Sequence, residues 1–317
     1  MDNHFDVIVV GGGPAGLTAG IYLSRAKQNV MILNEGAVGG QMVLTHEIAN
    51  YPGFESIRGY ELARNMKTQA QKFGCKIRSN IKITSLDLND ELKKVTVNDK
   101  DVFTSEAVII ATGGKSRMVG AKGEEEFKGK GISYCATCDG DFFQDKEIIV
   151  VGGGNSALEE AVSLTKYASK VTIVHQFDHF QAFEHYVDEA RKNEKIDFIM
   201  ESKIIEFIGR EKLDSVKIQN QRTKEISEIN IDGVFIFIGY VPNTESLEGI
   251  VELNGWKEIV VDKNLMTNIP GVYAAGDSIQ KKYRQVTTAV ADGTIAALSA
   301  GEYINNLKKQ RQESVLA

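Results

Sequence analysis

The stretch FDVIVVGGGPAG, residues 5–16, decides how this chain folds. Its first half, Phe5–Val10, is an apolar run rich in β-branched residues and predicts a buried strand. Gly11, Gly13 and Gly16 follow at G-x-G-x-x-G spacing, and a helical pattern of apolar residues continues from them. A strand, a glycine turn and a helix in this order predict a dinucleotide-binding βαβ unit.

The glycine turn also predicts where a dinucleotide would bind. Gly11 permits the sharp turn, and Gly13 lets the backbone approach a pyrophosphate. The helix that begins at Pro14 and Ala15 directs the positive end of its dipole towards the phosphates. Glu35 follows the second strand and is placed to accept a hydrogen bond from a ribose hydroxyl, although the same position also suits a solvated loop acid.

A second copy of this pattern starts near Glu147. Ile148–Val151 predicts a strand, Gly152–Ala157 a glycine turn, and the following residues up to Tyr167 a helix. Such an internal duplication is the strongest organisational signal in the chain. It predicts an α/β fold with two Rossmann-like dinucleotide-binding domains.

The order of the segments predicts that the second domain is inserted into the first. Two glycine-ended strands are the natural crossover points, one running into Ala111-Thr112-Gly113 and the other being Val234–Ile238. The C-terminal segment Gly271–Asp277 returns to strand-and-turn character and precedes a long helical pattern. We therefore expect a discontinuous first domain at 1–115 and 245–317, and an inserted domain at 116–244.

Composition and charge disfavour several classes of protein. The chain has 317 residues, 25% charged residues and a formal net charge of -6, which suits a folded two-domain protein better than a general nucleic-acid binder. Its apolar runs are far shorter than the ~20 residues of a membrane helix. The N-terminal residues lack the basic and apolar regions of a secretory signal. We expect a cytoplasmic protein with neither nucleic-acid nor membrane partners.

Two cysteines stand at C-x-x-C spacing in Cys135-Ala136-Thr137-Cys138-Asp139-Gly140. A zinc site would need two further Cys or His ligands at suitable spacing, and haem attachment would need His in place of Asp139. The pattern therefore favours a redox couple and predicts no metal site. Asp139 is placed either to relay protons during thiol–disulfide exchange or to cap a helix. Cys75 is expected to be a buried bystander.

The order of these motifs resembles that of the low-molecular-weight thioredoxin reductases over essentially the whole chain. The Cys-Ala-Thr-Cys-Asp-Gly string is the most specific match, more so than either glycine turn. In that family the further matching positions surround FAD or the nicotinamide cofactor: Gly39-Gly40-Gln41, Asn50-Tyr51-Pro52-Gly53, Ala111-Thr112-Gly113, Gly152–Ala157, Ile238-Gly239-Tyr240-Val241-Pro242-Asn243, Gly276-Asp277 and Arg284-Gln285-Val286.

The resemblance implies that the first domain binds FAD. Asp277 would hold the ribityl chain, Gln41 and Asn50 would face the flavin region, and Gln285 and Val286 would lie at the isoalloxazine. The inserted domain would be the pyridine-nucleotide-like domain that carries the dithiol.

The resemblance also implies the route of the electrons. They would pass from FAD through Cys135 and Cys138 to thioredoxin, with Cys138 facing the flavin and Cys135 attacking thioredoxin. Members of the family are homodimers whose inserted domain rotates between two orientations. A redox-sensing flavoprotein and a reductase of another small disulfide remain alternatives.

One segment departs from the family pattern. NADPH-using members carry H-R-R-x-x-x-R after the second βαβ strand, because arginines pair with the 2′-phosphate. This chain has His175-Gln176-Phe177-Asp178-His179-Phe180-Gln181 there. An NADH enzyme would instead offer Asp or Glu at the strand end, where His175 and Gln176 stand. This segment therefore lacks both the arginines that would bind NADPH and the acid that would bind NADH.

Divergent members of the family that lack pyridine-nucleotide use take electrons from ferredoxin. We therefore favour ferredoxin as the donor, with NADH next and NADPH last. Ferredoxin is acidic, so a basic surface would help it to dock. Six basic residues would form such a surface or are ordinary solvated residues: Lys281, Lys282, Arg284, Lys308, Lys309 and Arg311.

Overall fold

The computed structural model describes residues 3–45 and 47–316, and the chain divides into two compact units. Unit 1 comprises Met1–Lys115 and Val241–Ala317, and unit 2 comprises Ser116–Tyr240. We expected the chain to return to the first domain at residue 245, whereas unit 1 resumes at Val241. The earlier return has a local cause, because the backbone N–H of Asn243 already donates to the carbonyl of Gly113 at 2.9 Å.

The regular elements are numbered along the chain. The strands are β1 (His4–Val10), β2 (Val30–Asn34), β3 (Lys76–Ser79), β4 (Ile83–Asp87), β5 (Lys93–Val97), β6 (Asp101–Ile110), β7 (Gly114–Ser116), β8 (Ile132–Ser133), β9 (Glu147–Val151), β10 (Lys170–Val174), β11 (Ile196–Ile199), β12 (Ser202–Gly209), β13 (Leu213–Asn220), β14 (Ile226–Asn230), β15 (Gly233–Ile236), β16 (Tyr240–Pro242) and β17 (Val272–Ala274). The α-helices are α1 (Pro14–Arg25), α2 (Gly59–Lys72), α3 (Glu124–Phe127), α4 (Ala136–Asp139), α5 (Asn155–Leu164), α6 (Glu184–Lys192) and α7 (Val286–Leu316). Short 3-10 helices lie at Gly40–Leu44, Gly140–Phe143, Glu245–Leu247 and Gly276–Ser278.

Unit 1 is built on a mixed sheet in the order β3-β2-β1-β6-β5-β4, with β17 also paired to β6. β1 lies between β2 and β6 and is parallel to both. Val7, Ile8 and Val9 are fully buried because both faces of the sheet are covered, as is usual for parallel strands. The ten residues of β6 accommodate two partners on one edge, β5 along its first half and β17 along its end.

Unit 2 is built on a parallel sheet in the order β11-β10-β9-β15-β8 and an antiparallel sheet β12-β13-β14. Alternate residues of β9 point to opposite faces. Ile148 and Val150 join one core with residues of α5 and α6, whereas Ile149 and Val151 join another with residues of β12 and β13. The second βαβ unit is therefore covered by helices on one face and by the antiparallel sheet on the other.

One helix ends earlier than the sequence predicts. α5 ends at Leu164 rather than at Tyr167, because the next residues form tighter turns, with the N–H of Thr165 donating to the carbonyl of Val162. α7 runs to Leu316.

In the described part of the chain, no helix has both the length and the apolar character that crossing a bilayer would require.

Candidate active site

The predicted C-x-x-C pair is a disulfide in unit 2. Cys135 and Cys138 are bonded to each other, and Cys135 is the N-cap of the short helix α4. The carbonyl of Cys135 accepts hydrogen bonds from the N–H groups of Cys138 and Asp139 at 3.3 and 3.2 Å. Cys75 lies in unit 1, is buried, and has its pKa raised to about 11 by burial, which keeps it a neutral thiol.

The half-buried carboxyl of Asp139 lies in a polar cluster beside the disulfide. Its Oδ2 accepts a hydrogen bond from the Ser133 hydroxyl at 2.6 Å, and the same hydroxyl oxygen accepts the N–H of Cys135 at 3.1 Å. Burial raises the pKa of Asp139, the Ser133 hydrogen bond opposes that rise, and the charge of Asp141 adds to it. Asp139 is thus a carboxyl that takes up a proton more readily than an exposed one, as a proton donor to thiolates should.

A second anchor of this loop was not predicted from the sequence. The Tyr134 hydroxyl donates to Oε1 of Glu124 at 2.7 Å, and the ammonium of Lys128 lies 5.1 Å from the centre of the Tyr134 ring. Glu124 is buried and also accepts the N–H groups of Val119 and Gly120. The residue before Cys135 is therefore fixed through its side chain. No spacing signal in the sequence points to Glu124, since it lies within a run of three glutamates.

The first glycine turn lies in unit 1, where it was predicted, between β1 and α1. Gly11 has φ of +111°, and a Cβ there would lie 2.2 Å from the carbonyl oxygen of Ala111. Gly16 packs in the same way on the carbonyl of Gly11. Only glycine fits Gly11, because a side chain would meet both the wrong backbone conformation and the neighbouring strand end.

The backbones of Gly13 and Gly40 face each other across an open cradle. Among residues 3–45 and 47–316, Gly40 Cα is the only heavy atom within 4 Å of a Cβ built on Gly13, outside its chain neighbours and its own helix. Pro14 follows as the first residue of α1, so the free N–H groups of the first helical turn come from the residues after it. A side chain at either glycine would fill the cradle, which therefore suits a pyrophosphate bound by backbone and helix dipole.

Asn34, rather than Glu35, is the side chain that contacts the glycine turn. Its Oδ1 accepts the N–H of Gly12 at 2.7 Å, and its Nδ2 donates to the carbonyls of Glu35, Gly36 and Ala37. Glu35 is exposed, and its Oε1 accepts the N–H of Ile83 at 2.7 Å. The ribose role of Glu35 stays a prediction. The clue to Asn34 is its position as the last residue of β2.

Asp277 is a partly buried acid with one oxygen that lacks a partner among the described residues. Its Oδ1 is buried and has no hydrogen-bond partner within residues 3–45 and 47–316. Burial raises its pKa, although the charges of Lys281 and Arg284 oppose the rise. Gly276 brings it to the first glycine turn, since a Cβ on Gly276 would lie 2.9 Å from Cβ of Ala15. A buried carboxyl oxygen left without a donor indicates a ligand with hydroxyl groups.

Other predicted flavin residues lie near the carboxyl end of β6 or around the start of α7. Thr112 has a buried hydroxyl to which the described residues offer no hydrogen bond, and Asn243 donates to its carbonyl at 2.9 Å. The Asn50 amide donates to Oε1 of Gln285 at 3.2 Å, which joins two predicted positions. Val286 is the first residue of α7, and Gln41 is exposed on the 3-10 helix Gly40–Leu44.

These features fit FAD. The open cradle at Gly13 and Gly40 suits its pyrophosphate, and the unpartnered oxygen of Asp277 suits a ribityl hydroxyl. Both belong to unit 1, together with Ala111, Thr112 and Gly113. Bound FAD would supply two-electron redox chemistry at this site.

The basic residues proposed for a docking surface are largely engaged in ion pairs. Lys281 pairs with Asp292 and Arg284 with Glu258, all of them mostly buried. Lys308 pairs with Asp6 at 2.8 Å and Arg311 with Glu106 at 3.2 Å, while the Lys282 ammonium lies over the Tyr283 ring at 5.1 Å. The expectation of a free basic patch at these positions is therefore not supported, because carboxylates of unit 1 neutralise most of it.

The second glycine turn, in unit 2, lies against His175. A Cβ on Gly153 would lie 2.4 Å from Nδ1 of His175, and the His175 ring stacks on Phe180 with centroids 5.8 Å apart. Burial lowers the pKa of His175, so the ring stays neutral at this turn. The turn itself is thus closely packed by the segment that follows β10.

The segment after β10 has no lysine or arginine that could bind the 2′-phosphate of NADPH. Positions 171–190 contain neither lysine nor arginine. Asp178, the acid nearest in the sequence to the position that would bind a ribose diol, pairs with the exposed His179 at 2.6 Å. The backbone N–H of Gln181 donates to the carbonyl of Gly153 at 2.7 Å, which holds the segment across the turn. A 2′-phosphate would find no charge-assisted hydrogen bond here.

Comparison with known proteins agrees with this arrangement. The family model described as pyridine nucleotide-disulphide oxidoreductase matches residues 5–293. The chain belongs to this family. It is 44% identical over 303 residues to the "34.2 kDa protein in rubredoxin operon" of Clostridium pasteurianum, covering 96% of this chain and 98% of that protein. It is 43% identical over 307 residues to thioredoxin reductase of Bacillus subtilis, covering 96% of each.

A solved structure shows the same relationship in three dimensions. The thioredoxin reductase of Streptococcus pyogenes superposes with a TM-score of 0.93 at 39% identity, covering 96% of this chain and all of that one. The present family member is accordingly an FAD-dependent disulfide oxidoreductase of the low-molecular-weight thioredoxin reductase type, with an α/β fold of two Rossmann-like domains.

Proposed function

We propose that this chain is a thioredoxin-disulfide reductase in which electrons pass from FAD through Cys135 and Cys138 to thioredoxin. The observation that carries the proposal is the disulfide itself, which lies at the start of α4 directly before the half-buried carboxyl of Asp139. A redox pair with an adjacent proton donor is what repeated thiol–disulfide exchange requires. The names of the similar proteins from Bacillus subtilis and Streptococcus pyogenes support thioredoxin as the acceptor.

The side chains of unit 2 account for the exchange with thioredoxin. Bound FAD supplies the two electrons that reduce the Cys135–Cys138 disulfide. The Cys135 thiolate then attacks one sulfur of the thioredoxin disulfide, and the other sulfur leaves as a thiolate and takes a proton from Asp139. The Cys138 thiolate attacks Cys135 in the mixed disulfide, which releases the second thioredoxin thiolate and restores the original disulfide.

The donor to FAD belongs to the same proposal, with ferredoxin favoured, NADH next and NADPH last. Residues 175–181 support this order. They contain no lysine or arginine that could bind the 2′-phosphate of NADPH, and Asp178, the acid that could bind the ribose of NADH, is paired with His179. Ferredoxin does not gain support from Lys281 or Arg284, because both are ion-paired within unit 1. It is favoured because it needs no pyridine-nucleotide pocket.

The proposal includes a homodimer in the cytoplasm. Three large apolar side chains on neighbouring helices of unit 1 are exposed: Tyr22 on α1, and Ile295 and Leu298 on α7. Ile295 and Leu298 are three residues apart, so they lie on one face of α7. An exposed apolar face of this kind suits a second copy of the chain. A reducing cytoplasm is where a dithiol of this type is maintained and used.

The decisive experiment is anaerobic reduction of the FAD-loaded protein, with NADPH, NADH or photoreduced ferredoxin offered separately and flavin absorbance followed. Thioredoxin-coupled insulin reduction with the successful donor then measures turnover. Cys138→Ser should keep FAD and lose turnover, and Cys75→Ser is the control because Cys75 is a buried free thiol of unit 1. Full turnover in Cys138→Ser would exclude the proposed route, and single-turnover behaviour in the wild type would indicate a redox sensor.

A further inference from the structure

Ser133 occupies a position between the two groups that exchange electrons and protons. It is the last residue of β8, only 5% exposed, and two residues before Cys135. Its Oγ lies 2.6 Å from Oδ2 of Asp139, 3.1 Å from the backbone nitrogen of Cys135 and 3.3 Å from the carbonyl oxygen of Cys135. All three contacts lie within unit 2. The proposed reaction assigns this hydroxyl no role.

The hydroxyl has more acceptors than protons, so its orientation depends on Asp139. When Asp139 is charged, the Ser133 proton points to the carboxylate, and the hydroxyl oxygen accepts the Cys135 N–H. When Asp139 is protonated, the acid becomes the donor to Ser133, and the Ser133 proton can turn to the carbonyl of Cys135. The oxygen then accepts two hydrogen bonds and donates one, which is its full capacity. Ser133 Oγ, Asp139 Oδ2 and the Cys135 N–H therefore stay paired in both states, and only hydrogen atoms change place.

From this geometry we infer that Ser133 is a positioning residue, whose rotating hydroxyl holds the Asp139 carboxyl and the Cys135 backbone in one arrangement whether Asp139 is charged or neutral. This inference rests on the proposed function, in which Asp139 gives up and regains a proton in every cycle. A buried carboxyl that lost its partner on changing charge would be costly to ionise and free to move away. The Ser133 hydroxyl lowers the cost of ionising Asp139 and also keeps the carboxyl in place.

Ser133 also affects how readily Asp139 ionises. Its hydrogen bond stabilises the charged carboxylate and so lowers the pKa that burial raises, while the nearby charge of Asp141 raises it. Removal of the hydroxyl should therefore move the pKa of Asp139 further upward. The rate of thioredoxin reduction depends on two titrations, because the Cys135 thiolate forms and the protonated Asp139 is lost as the pH rises. In Ser133→Ala the inflection of the pH profile that belongs to Asp139 should lie at higher pH than in the wild type.

The test uses FAD-loaded protein reduced chemically in advance, so that the physiological donor is irrelevant. Reduced protein is mixed with excess thioredoxin disulfide, and the first turnover is followed from pH 5.5 to pH 9.5. Ser133→Ala should lose on the order of ten-fold in rate near neutral pH and shift the Asp139 inflection to higher pH. Ser133→Thr, which keeps a hydroxyl, should restore the wild-type inflection. Ser215→Ala is the matched control, because Ser215 is a buried serine of unit 2 that donates to Glu228 at 2.6 Å.

The Asp139→Asn variant tests whether Ser133 acts through Asp139. In Asp139→Asn the inflection that belongs to Asp139 should vanish, which identifies it, and adding Ser133→Ala should not change the shape of the pH profile. The inference is overturned if Ser133→Ala slows the reaction equally at every pH, or if its profile equals that of Ser215→Ala. Failure of the proposed function has a different signature, since reduced wild-type protein would then leave thioredoxin disulfide intact at every pH.

Discussion

The Tyr134 hydroxyl donates to the buried carboxylate of Glu124 at 2.7 Å, and this bond fixes the backbone immediately before the redox disulfide. Glu124 is anchored in turn by the N–H groups of Val119 and Gly120. Ser133 and Tyr134 are neighbours, yet they bond to different acids, Asp139 and Glu124. The loop that leads to Cys135 is therefore fixed on two sides.

Tyr134→Phe should lower the stability of the protein by about 1.5–3 kcal/mol, because it removes one hydrogen bond to a charged group while leaving the ring in place. Thermal unfolding of the FAD-loaded protein measures the effect. Tyr60→Phe is a suitable control, because Tyr60 donates to Glu61 at 3.2 Å on an exposed surface, where such a bond contributes little. Equal losses for the two variants would contradict the anchoring role of Tyr134.

Asp277→Asn should weaken FAD binding and yet stabilise the protein once FAD is removed. The loss of a charged acceptor for a ligand hydroxyl should raise the dissociation constant of FAD about ten-fold. In the apoprotein the sign reverses: burial raises the folded-state pKa of Asp277, so stability is lost as pH rises through that pKa. The apo variant should thus be more stable than the apo wild type at neutral pH, and the gap should close as the pH falls.

Reconstitution titrations and apoprotein melting curves measure these two effects of Asp277→Asn. Asp99→Asn serves as the control, because Asp99 is an exposed acid of unit 1 with no place in the cradle. A variant that binds FAD as tightly as the wild type would show that the unpartnered oxygen of Asp277 serves another purpose.

Leu298→Glu should convert the proposed homodimer into a monomer. The charge would be placed on the exposed apolar face of α7, where Leu298 is 60% exposed and Ile295 41%. Desolvating an unpaired carboxylate in an interface opposes association strongly. Sedimentation or light scattering at several protein concentrations measures the mass. Ile226→Glu, a change of an exposed residue on β14 of unit 2, should leave it unaltered; an equally dimeric Leu298→Glu would place the interface elsewhere.

The parts of this molecule that the sequence predicts best are those in which a residue type is demanded by the backbone or by covalent chemistry. Gly11 and the Cys135–Cys138 pair belong to this class, because only glycine fits the turn and only cysteines form the bond. Asn34, Ser133 and Glu124 do not, since their roles arise from which side chain points at which donor after packing. Charged residues are least predictable: Lys281 and Arg284 suggest a free basic surface until their partners Asp292 and Glu258 are seen.

Restoring arginines after β10 should create a response to NADPH. Gln176, Phe177 and Gln181 stand at the positions where NADPH-using family members carry arginine. Residues 171–190 contain no lysine or arginine. Each charge-assisted hydrogen bond to a 2′-phosphate contributes about 1.5–3 kcal/mol. The triple variant with arginine at these positions should therefore be reduced by NADPH at least about ten-fold faster at limiting concentration than the wild type.

The matched control for the arginine variant replaces the same three residues by methionine, which keeps length without charge. Flavin bleaching with NADPH and with NADH separates the effect of the phosphate, because only NADPH carries it. Enhancement for both nucleotides alike would mean that the arginines act through the fold of the segment rather than through the phosphate. If the wild type already responds to NADPH as fast as the arginine variant, residues 175–181 do not select the donor, and the closely packed turn at Gly153 and His175 must open to admit the nucleotide.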